Sequence, residues 1–212
     1  MTNALTILFC LTLMYLAVTT RLSSYVLILV FQGILVAGVY TVSFFENFSA
    51  THLVIAGAVL LFRTILIPSY MVKIIRDLDM GHRDRTHRYH PGFLLQISGV
   101  IIAALLLSYQ FSRMTPVLVI PLGTALAGIF SGGLLIVRRR LLLAHVVGFL
   151  IIENGLFLLG VGVKAEMPWV IELGAFLDLF VLVFLMGIAI FHISRQFDHI
   201  DTGRLVTLSD RV

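Results

Sequence analysis

Residues 148–160 read GFLIIENGLFLLG, a stretch that is apolar at nearly every position except the adjacent Glu153 and Asn154. An ionised carboxylate at the centre of a membrane-spanning helix costs at least about 2.5 to 3.5 kcal/mol on insertion scales. An acid at that depth needs a partner, a wet cavity or a function. Glu153 is therefore the first candidate functional residue of the chain.

The whole chain has the composition of a helical membrane protein. Its 212 residues are 59% hydrophobic and 12% charged, with a mean hydropathy of +1.06. A spanning helix needs about 20 mainly apolar residues and satisfies its own backbone hydrogen bonds, so helices are expected here. The sequence predicts an all-α, polytopic protein with seven transmembrane helices close to residues 3–20, 24–45, 50–72, 93–111, 115–137, 141–163 and 168–192.

The positive charges of the loops predict the orientation, because alternating loops of a seven-helix protein lie on opposite sides of the membrane. One side holds Arg21, Lys73, Arg76, Arg83, Arg85, Arg88, Arg138, Arg139, Arg140, Arg195, Arg204 and Arg211, and the other holds Arg113 and Lys164. Cytoplasmic loops carry the excess of lysine and arginine, which predicts an outer N-terminus and a cytoplasmic C-terminus. Anionic lipid headgroups are the expected partners of these loops, and nucleic acid is not.

The chain shows no sign of catalysis of its own. Cys10 is its single cysteine, which excludes a four-thiolate cluster or zinc site made by this chain alone. Motifs typical of nucleotide binding or membrane proteolysis are absent from the sequence. The polar run 74–91 is predicted to be a solvated cytoplasmic loop, although it contains a set that could in principle bind zinc: His82, His87, His90 and Asp84. The chain is predicted not to be an enzyme by itself and to hold no cofactor or metal.

Ionisable residues inside the predicted spans form the candidate site. At 1.5 Å per residue, Glu153, Asp178 and Arg63 lie near the midplane and Glu172 lies nearer the outer surface. Low dielectric raises a carboxyl pKa and a nearby cation lowers it, so a mid-membrane acid can be tuned to bind and release a proton. Alternatively, Arg63 can pair with Asp178 or Glu153 as a clamp that sets helix registry. The predicted relay residues are Glu153, Asp178, Glu172 and Arg63, with possible support from Asn154, Gln32 and His145.

Two packing features are also predicted. Pro68 lies about one turn beyond Arg63 and frees the backbone carbonyl four residues earlier, so a local kink in the third span is expected near that arginine. Gly128 and Gly132, with Gly133 beside them, form a small-residue face that predicts close approach of another helix to the fifth span.

Four short motifs mark the chain from the fifth span onward: ENG at 153–155, IELG at 171–174, LD at 177–178 and IDT at 200–202. Through these motifs, about 100 residues resemble component E of hydrogenase-4, a family similar to the K subunit of respiratory complex I and the C subunit of multisubunit cation/proton antiporters. The earlier spans resemble the family more weakly, through RTILIPSYM at 63–71. That family often has lysine where this chain has Arg63, and a guanidinium does not readily lose its proton.

The resemblance implies an N-terminal four-helix extension at 1–112, which includes the loop at 74–91, then a three-helix subunit K-like unit at 113–193 and a cytoplasmic tail at 194–212. It implies a non-catalytic subunit of a complex I-like group 4 [NiFe] hydrogenase or formate hydrogenlyase, in a bacterial or archaeal cytoplasmic membrane.

In such a complex, the resemblance implies that the NiFe centre and the iron–sulfur clusters are held by partner subunits. The expected partners are antiporter-like subunits, a quinone-site-like membrane anchor and a hydrophilic hydrogenase arm. A subunit of a cation/proton antiporter and a purely structural scaffold of the membrane arm are the alternatives.

Overall fold

The chain folds into a bundle of apolar helices. The computed structural model describes residues 1–19, 21–43, 57, 60–77, 91–139, 142–163, 181, 183–185 and 187. The helices are α1 (Thr2–Val18), α2 (Leu22–Ser43), α3 (Ile67–Asp77), α4 (Pro91–Ser112), α5 (Val119–Arg138) and α6 (Leu142–Gly162), and a π-helical segment at Leu60–Leu66 runs directly into α3. No strand occurs among these described residues.

Four of the helices are long and apolar enough to cross a membrane. Their candidate spans are Ser23–Ser43, Gly92–Ser112, Val119–Arg138 and Leu143–Gly162, and the shorter α1 is also apolar. The prediction of an all-α, multi-pass membrane protein is therefore confirmed. The predicted span 168–192 lies mostly outside the described residues, where only 181, 183–185 and 187 are seen, all of them helical.

The π-helical segment and α3 together take the place of the third predicted span. In α3 the buried residues recur at helical spacing, since Ile67, Met71, Ile74 and Ile75 all face the interior. This spacing is that of an amphipathic helix with one apolar face. The exposed face carries basic residues near the C-terminal end of α3, Lys73 and Arg76.

The helices α5 and α6 are packed closely enough that only glycine fits at their contacts. A Cβ atom on Gly132 would lie 2.5 Å from the Gly148 carbonyl oxygen, and one on Gly155 would lie 2.8 Å from the Ala125 oxygen. Gly128 also packs against Gly155, whereas a Cβ atom on Gly133 would meet open space. The predicted small-residue face is thus confirmed for Gly128 and Gly132, and Gly133 does not belong to it.

The helix α2 occupies the centre of the arrangement. It packs against α1, α6, the π-helical segment and α3, while α1 also packs against α4 and α5. The outer side of α5 is covered by α4. As a result, side chains from the N-terminal helices and from α6 can meet in one interior.

Candidate functional site

The two polar residues of the stretch 148–160 lie near the middle of α6 and inside the protein. Glu153 is 2% exposed and Asn154 is 4% exposed. Consecutive residues of an α-helix point about 100° apart. Both side chains can therefore contact the same group only if that group reaches between them.

Arg63 is that group. Its Nη2 atom donates to Glu153 Oε1 at 2.7 Å, and its Nη1 atom donates to Asn154 Oδ1 at 2.9 Å. The planar guanidinium is suited to such a two-pronged contact, which a lysine ammonium would make with less geometric definition. Arg63 is 6% exposed, and among the described residues it and Glu153 are the charged residues that are buried.

Aromatic rings lie beside the guanidinium. The Cζ atom of Arg63 lies 5.4 Å from the centroid of the Phe157 ring, within the range of a cation–π contact. Phe157 is one turn after Glu153 on α6, so both face the same side of that helix. The Tyr40 ring of α2 packs on Phe157 with its centroid 5.6 Å away. The Phe157 ring therefore stabilises the positive charge, and Tyr40 supports that ring.

Amide side chains extend the contacts of Arg63 to the first helix. Asn154 Nδ2 donates to Gln32 Oε1 at 3.3 Å, and Gln32 Nε2 donates to Thr12 Oγ1 at 3.0 Å. The Thr12 hydroxyl in turn donates to the Phe9 carbonyl oxygen at 2.6 Å. Thr12, Gln32, Arg63, Glu153 and Asn154 are called the polar network below; they come from α1, α2, the π-helical segment and α6.

The backbone around Arg63 explains how its side chain reaches α6. Arg63 lies in the middle of the π-helical segment, a wider turn that occurs frequently at functional sites. Gly33 of α2 lets this segment approach, because a Cβ atom there would lie 2.6 Å from Thr64 Oγ1 and 3.4 Å from the Arg63 carbonyl oxygen. The π-helical pattern ends at Leu66, two residues before Pro68. The helix type thus changes from π to α close to Pro68, in the region where the sequence predicts a kink.

The predicted site residues fall into three groups. Glu153, Arg63, Asn154 and Gln32 are brought together, and Arg63 contacts Glu153, one of its two predicted partners. His145 is half-buried on α6, two turns before Glu153 and about 12 Å away along the axis. Asp178 and Glu172 lie outside the described residues.

Sequence reasoning missed two members of the site. Phe157 could have been found from its position four residues after Glu153, which places both on one face of α6. Thr12 carried no such signal, because a threonine in an apolar helix commonly bonds to its own backbone, as Thr12 also does.

The Glu153 carboxylate and the Arg63 guanidinium together form an ion pair with no net charge. A buried ion pair of this kind gains stability only when its remaining polar atoms are also satisfied, and the amides of Asn154 and Gln32 contribute to that. Addition of a proton to the carboxylate would leave the pair with one positive charge. Deep in a membrane, ionisable groups of this type mark ion pathways or fix the packing of helices.

The fold and the polar network define the class of protein: a helical, multi-pass membrane protein with a buried arginine–glutamate pair. No protein-family model matches the chain, and no solved structure matches it. It is similar to the uncharacterised protein Rv0085 of Mycobacterium tuberculosis (strain ATCC 25618 / H37Rv), with 23% identity over 191 residues. The similarity covers 89% of this chain and 87% of that protein, so it extends over nearly the full length of both.

Proposed function

We propose that the chain is a non-catalytic membrane subunit of a complex I-like group 4 [NiFe] hydrogenase or formate hydrogenlyase, in which Glu153 relays protons. The sequence resemblance through ENG at 153–155 suggests this class of complex. The observation that carries the proposal is the pairing of Glu153 with Arg63 inside the bundle, at 2.7 Å. A buried acid in an apolar helix is costly, and proton relays are among the functions for which such residues are kept.

In this proposal seven helices cross a bacterial or archaeal cytoplasmic membrane, with the N-terminus outside and the C-terminus in the cytoplasm. Asp178, on the seventh helix, takes the proton from or passes it to Glu153, and Glu172 lies nearer the outer surface. Antiporter-like subunits, a membrane anchor and a hydrophilic arm surround the chain, and that arm holds the NiFe and iron–sulfur centres. The basic loops contact anionic lipids.

The first experiment identifies the partners. The tagged chain is purified from its native membrane in mild detergent, and the co-purifying subunits are identified by mass. A nickel–iron large subunit together with antiporter-like subunits is the expected result. Recovery of antiporter subunits without a hydrogenase would favour the antiporter alternative, and recovery of the chain by itself would contradict both.

The second experiment tests the relay in the assembled complex. In inverted membrane vesicles, Glu153→Gln should lower proton pumping by roughly 10-fold or more, because an amide has the shape of the acid but carries no titrating proton. Thr124→Val is the matched control: it removes a buried hydroxyl of α5 that accepts a hydrogen bond from Cys10 at 3.5 Å, outside the polar network. The control should pump normally, and both variants should assemble.

A structural clamp is the second candidate function, and the same ion pair supports it. A buried pair that joins the π-helical segment to α6 can serve to fix helix registry and nothing else. If so, Glu153→Gln reduces the amount of assembled complex, while each complex that does assemble pumps at the wild-type rate. Normal assembly with lost pumping would rule the clamp out as the main role.

A further inference from the structure

Four oxygen atoms of the polar network are of the type that binds hard cations, and each accepts a hydrogen bond from nitrogen. Arg63 donates to Glu153 Oε1 and to Asn154 Oδ1, at 2.7 and 2.9 Å. Gln32 Oε1 accepts from Asn154 at 3.3 Å, and Thr12 Oγ1 accepts from Gln32 at 3.0 Å. Carboxylate and carbonyl oxygens are the ligands that hard cations prefer. A sodium ion bound by these four oxygen atoms would have to displace their donors.

The donor at the carboxylate is itself a cation. A guanidinium keeps its charge at any physiological pH. As a side chain of the protein, Arg63 also cannot leave the site as a free ion can. Repulsion between two like charges is strong in a medium of low dielectric. A sodium ion close to Glu153 would therefore be opposed by Arg63 as well as deprived of ligands.

A proton differs from a sodium ion in what it requires. It forms an O–H bond with one carboxylate oxygen of Glu153 and needs no shell of oxygen ligands. Protonation neutralises the carboxylate and so ends the ion pair, but it does not require the guanidinium to leave its position. Arg63 can then remain hydrogen-bonded to Asn154 and stacked near Phe157. No other charged side chain is buried in the described part of the chain, so Arg63 is the buried cation there that decides this balance.

We infer that Arg63 determines ion specificity: its guanidinium occupies the position that a sodium ion would take beside Glu153, so the site admits protons and excludes Na⁺. The inference deepens the proposed function and rests on Glu153 being the group that carries the translocated ion. It assigns a role to the π-helical segment, which carries Arg63, and to α1 and α2, whose Thr12 and Gln32 hold Asn154, the amide partner of Arg63.

The test measures binding of sodium to the full chain, purified in detergent micelles, by its thermal unfolding. Midpoints are compared in sodium chloride and in choline chloride at equal ionic strength. The wild type should unfold within about 1 °C in the two salts. Arg63→Gln should gain at least about 2 °C in sodium, because binding to the folded state raises the midpoint. Arg63→Gln combined with Glu153→Gln should lose that gain.

Two results would overturn the inference. One is a sodium-specific rise in the wild type that Glu153→Gln abolishes, and the other is a folded Arg63→Gln variant that does not respond to sodium. If Arg63→Gln folds in sodium and not in choline, the inference is supported. If it folds in neither salt, the wild type and Arg63→Lys are compared instead. Both have a positively charged side chain at position 63, so neither should respond to sodium. A sodium response of either would overturn the inference.

The test is independent of the proposed function. It uses the chain without redox partners, so loss of pumping in a complex does not affect its outcome. A sodium response of the wild type would overturn proton specificity and still allow a relay of sodium ions. A pumping complex that is insensitive to Glu153→Gln would remove the relay and with it the role of Arg63 in ion specificity, whatever the sodium response of the purified chain.

Discussion

The helices α4 and α6 look alike in sequence and differ in their surroundings. Both are long enough and apolar enough to cross a membrane. In α6, however, 67% of the most apolar 18-residue stretch is buried inside the protein, against 22% of the corresponding stretch in α4. Packing against α5 and α2 makes α6 an interior helix, while much of α4 is turned outwards.

The difference between α4 and α6 explains where a polar side chain is tolerated within an apolar helix. Gln96 lies near the start of α4 and Arg113 directly follows its end, and both side chains are exposed. On α6 the polar residues Glu153 and Asn154 lie in the middle, where other helices supply hydrogen-bond partners. A charge at that depth is stable only where protein replaces lipid around it.

Removal of the Arg63 charge should give the largest difference in stability between a variant of the buried site beside α6 and a matched variant near α4. Arg63→Leu leaves the Glu153 carboxylate buried without its guanidinium, which should lower the free energy of unfolding by about 3–5 kcal/mol. Denaturant unfolding in detergent micelles measures this loss. Arg63→Leu combined with Glu153→Leu should recover most of it, because no uncompensated charge then remains.

The control for that prediction is an exposed arginine near the end of α4. Arg113 stacks on Tyr109 at 5.0 Å and donates to its hydroxyl at 3.2 Å. Arg113→Leu should cost at most about 1 kcal/mol, as expected for an exposed cation–π contact. Equal losses at Arg63 and Arg113 would contradict the view that α6 differs from α4 through its burial.

Addition of a methyl group between helices should give the next largest effect. Gly132→Ala places Cβ 2.5 Å from the Gly148 oxygen and 2.8 Å from a side-chain carbon of Ile152. Separation of α5 and α6 should cost up to about 3 kcal/mol, as overpacking does in other tight contacts. Gly99→Ala on α4 meets open space and should instead stabilise the helix by about 0.5–1 kcal/mol. Opposite signs for the two variants in the same unfolding assay are the expected result.

Truncation of an aliphatic side chain should also destabilise the protein more on α6 than on α4. Ile151 of α6 is fully buried, so Ile151→Ala should leave a cavity and cost about 2 kcal/mol. Ile102 of α4 is largely exposed, and Ile102→Ala should change stability by less than about 0.5 kcal/mol, since lipid or detergent fills the space. A large loss at Ile102 would show that the outer face of α4 is covered.

The smallest effect is expected for a neutral amide. Gln32→Leu removes the bonds to Asn154 and Thr12 and should cost about 1 kcal/mol, because each lost hydrogen bond has a modest net value. Gln96→Leu removes an exposed bond from Arg138 and should be within about 0.5 kcal/mol of the wild type. Unfolding midpoints measured side by side are sufficient, and a greater loss at Gln96 than at Gln32 would contradict this ranking.

Much of the site was visible in the sequence, and its pairing was not. Glu153, Asn154, Arg63 and Gln32 stand out because each interrupts an apolar run, and the cost of that interruption is local to its own helix. The sequence does not distinguish Glu153 from Asp178 as the partner of Arg63, since that pairing depends on how helices far apart in sequence are rotated and placed.

Two features near Arg63 also differ in this way: one could be predicted from the sequence, and the other depends on helix packing. Pro68 predicts a kink near Arg63, because loss of a backbone donor is a property of the residue itself. The close approach of the π-helical segment to Gly33 depends on α2, which comes from elsewhere in the chain.

The sequence by itself determined that the chain is a helical membrane protein and that a few polar residues lie at depth, because length, hydropathy and the cost of a charge in lipid are properties of single segments. The tertiary structure alone decided that Arg63 reaches Glu153 and Asn154, and that the chain of amides ends at Thr12. Those contacts join residues separated by 20 to 122 positions. They arise only when the helices pack, since packing sets the rotation and depth of each helix relative to the others.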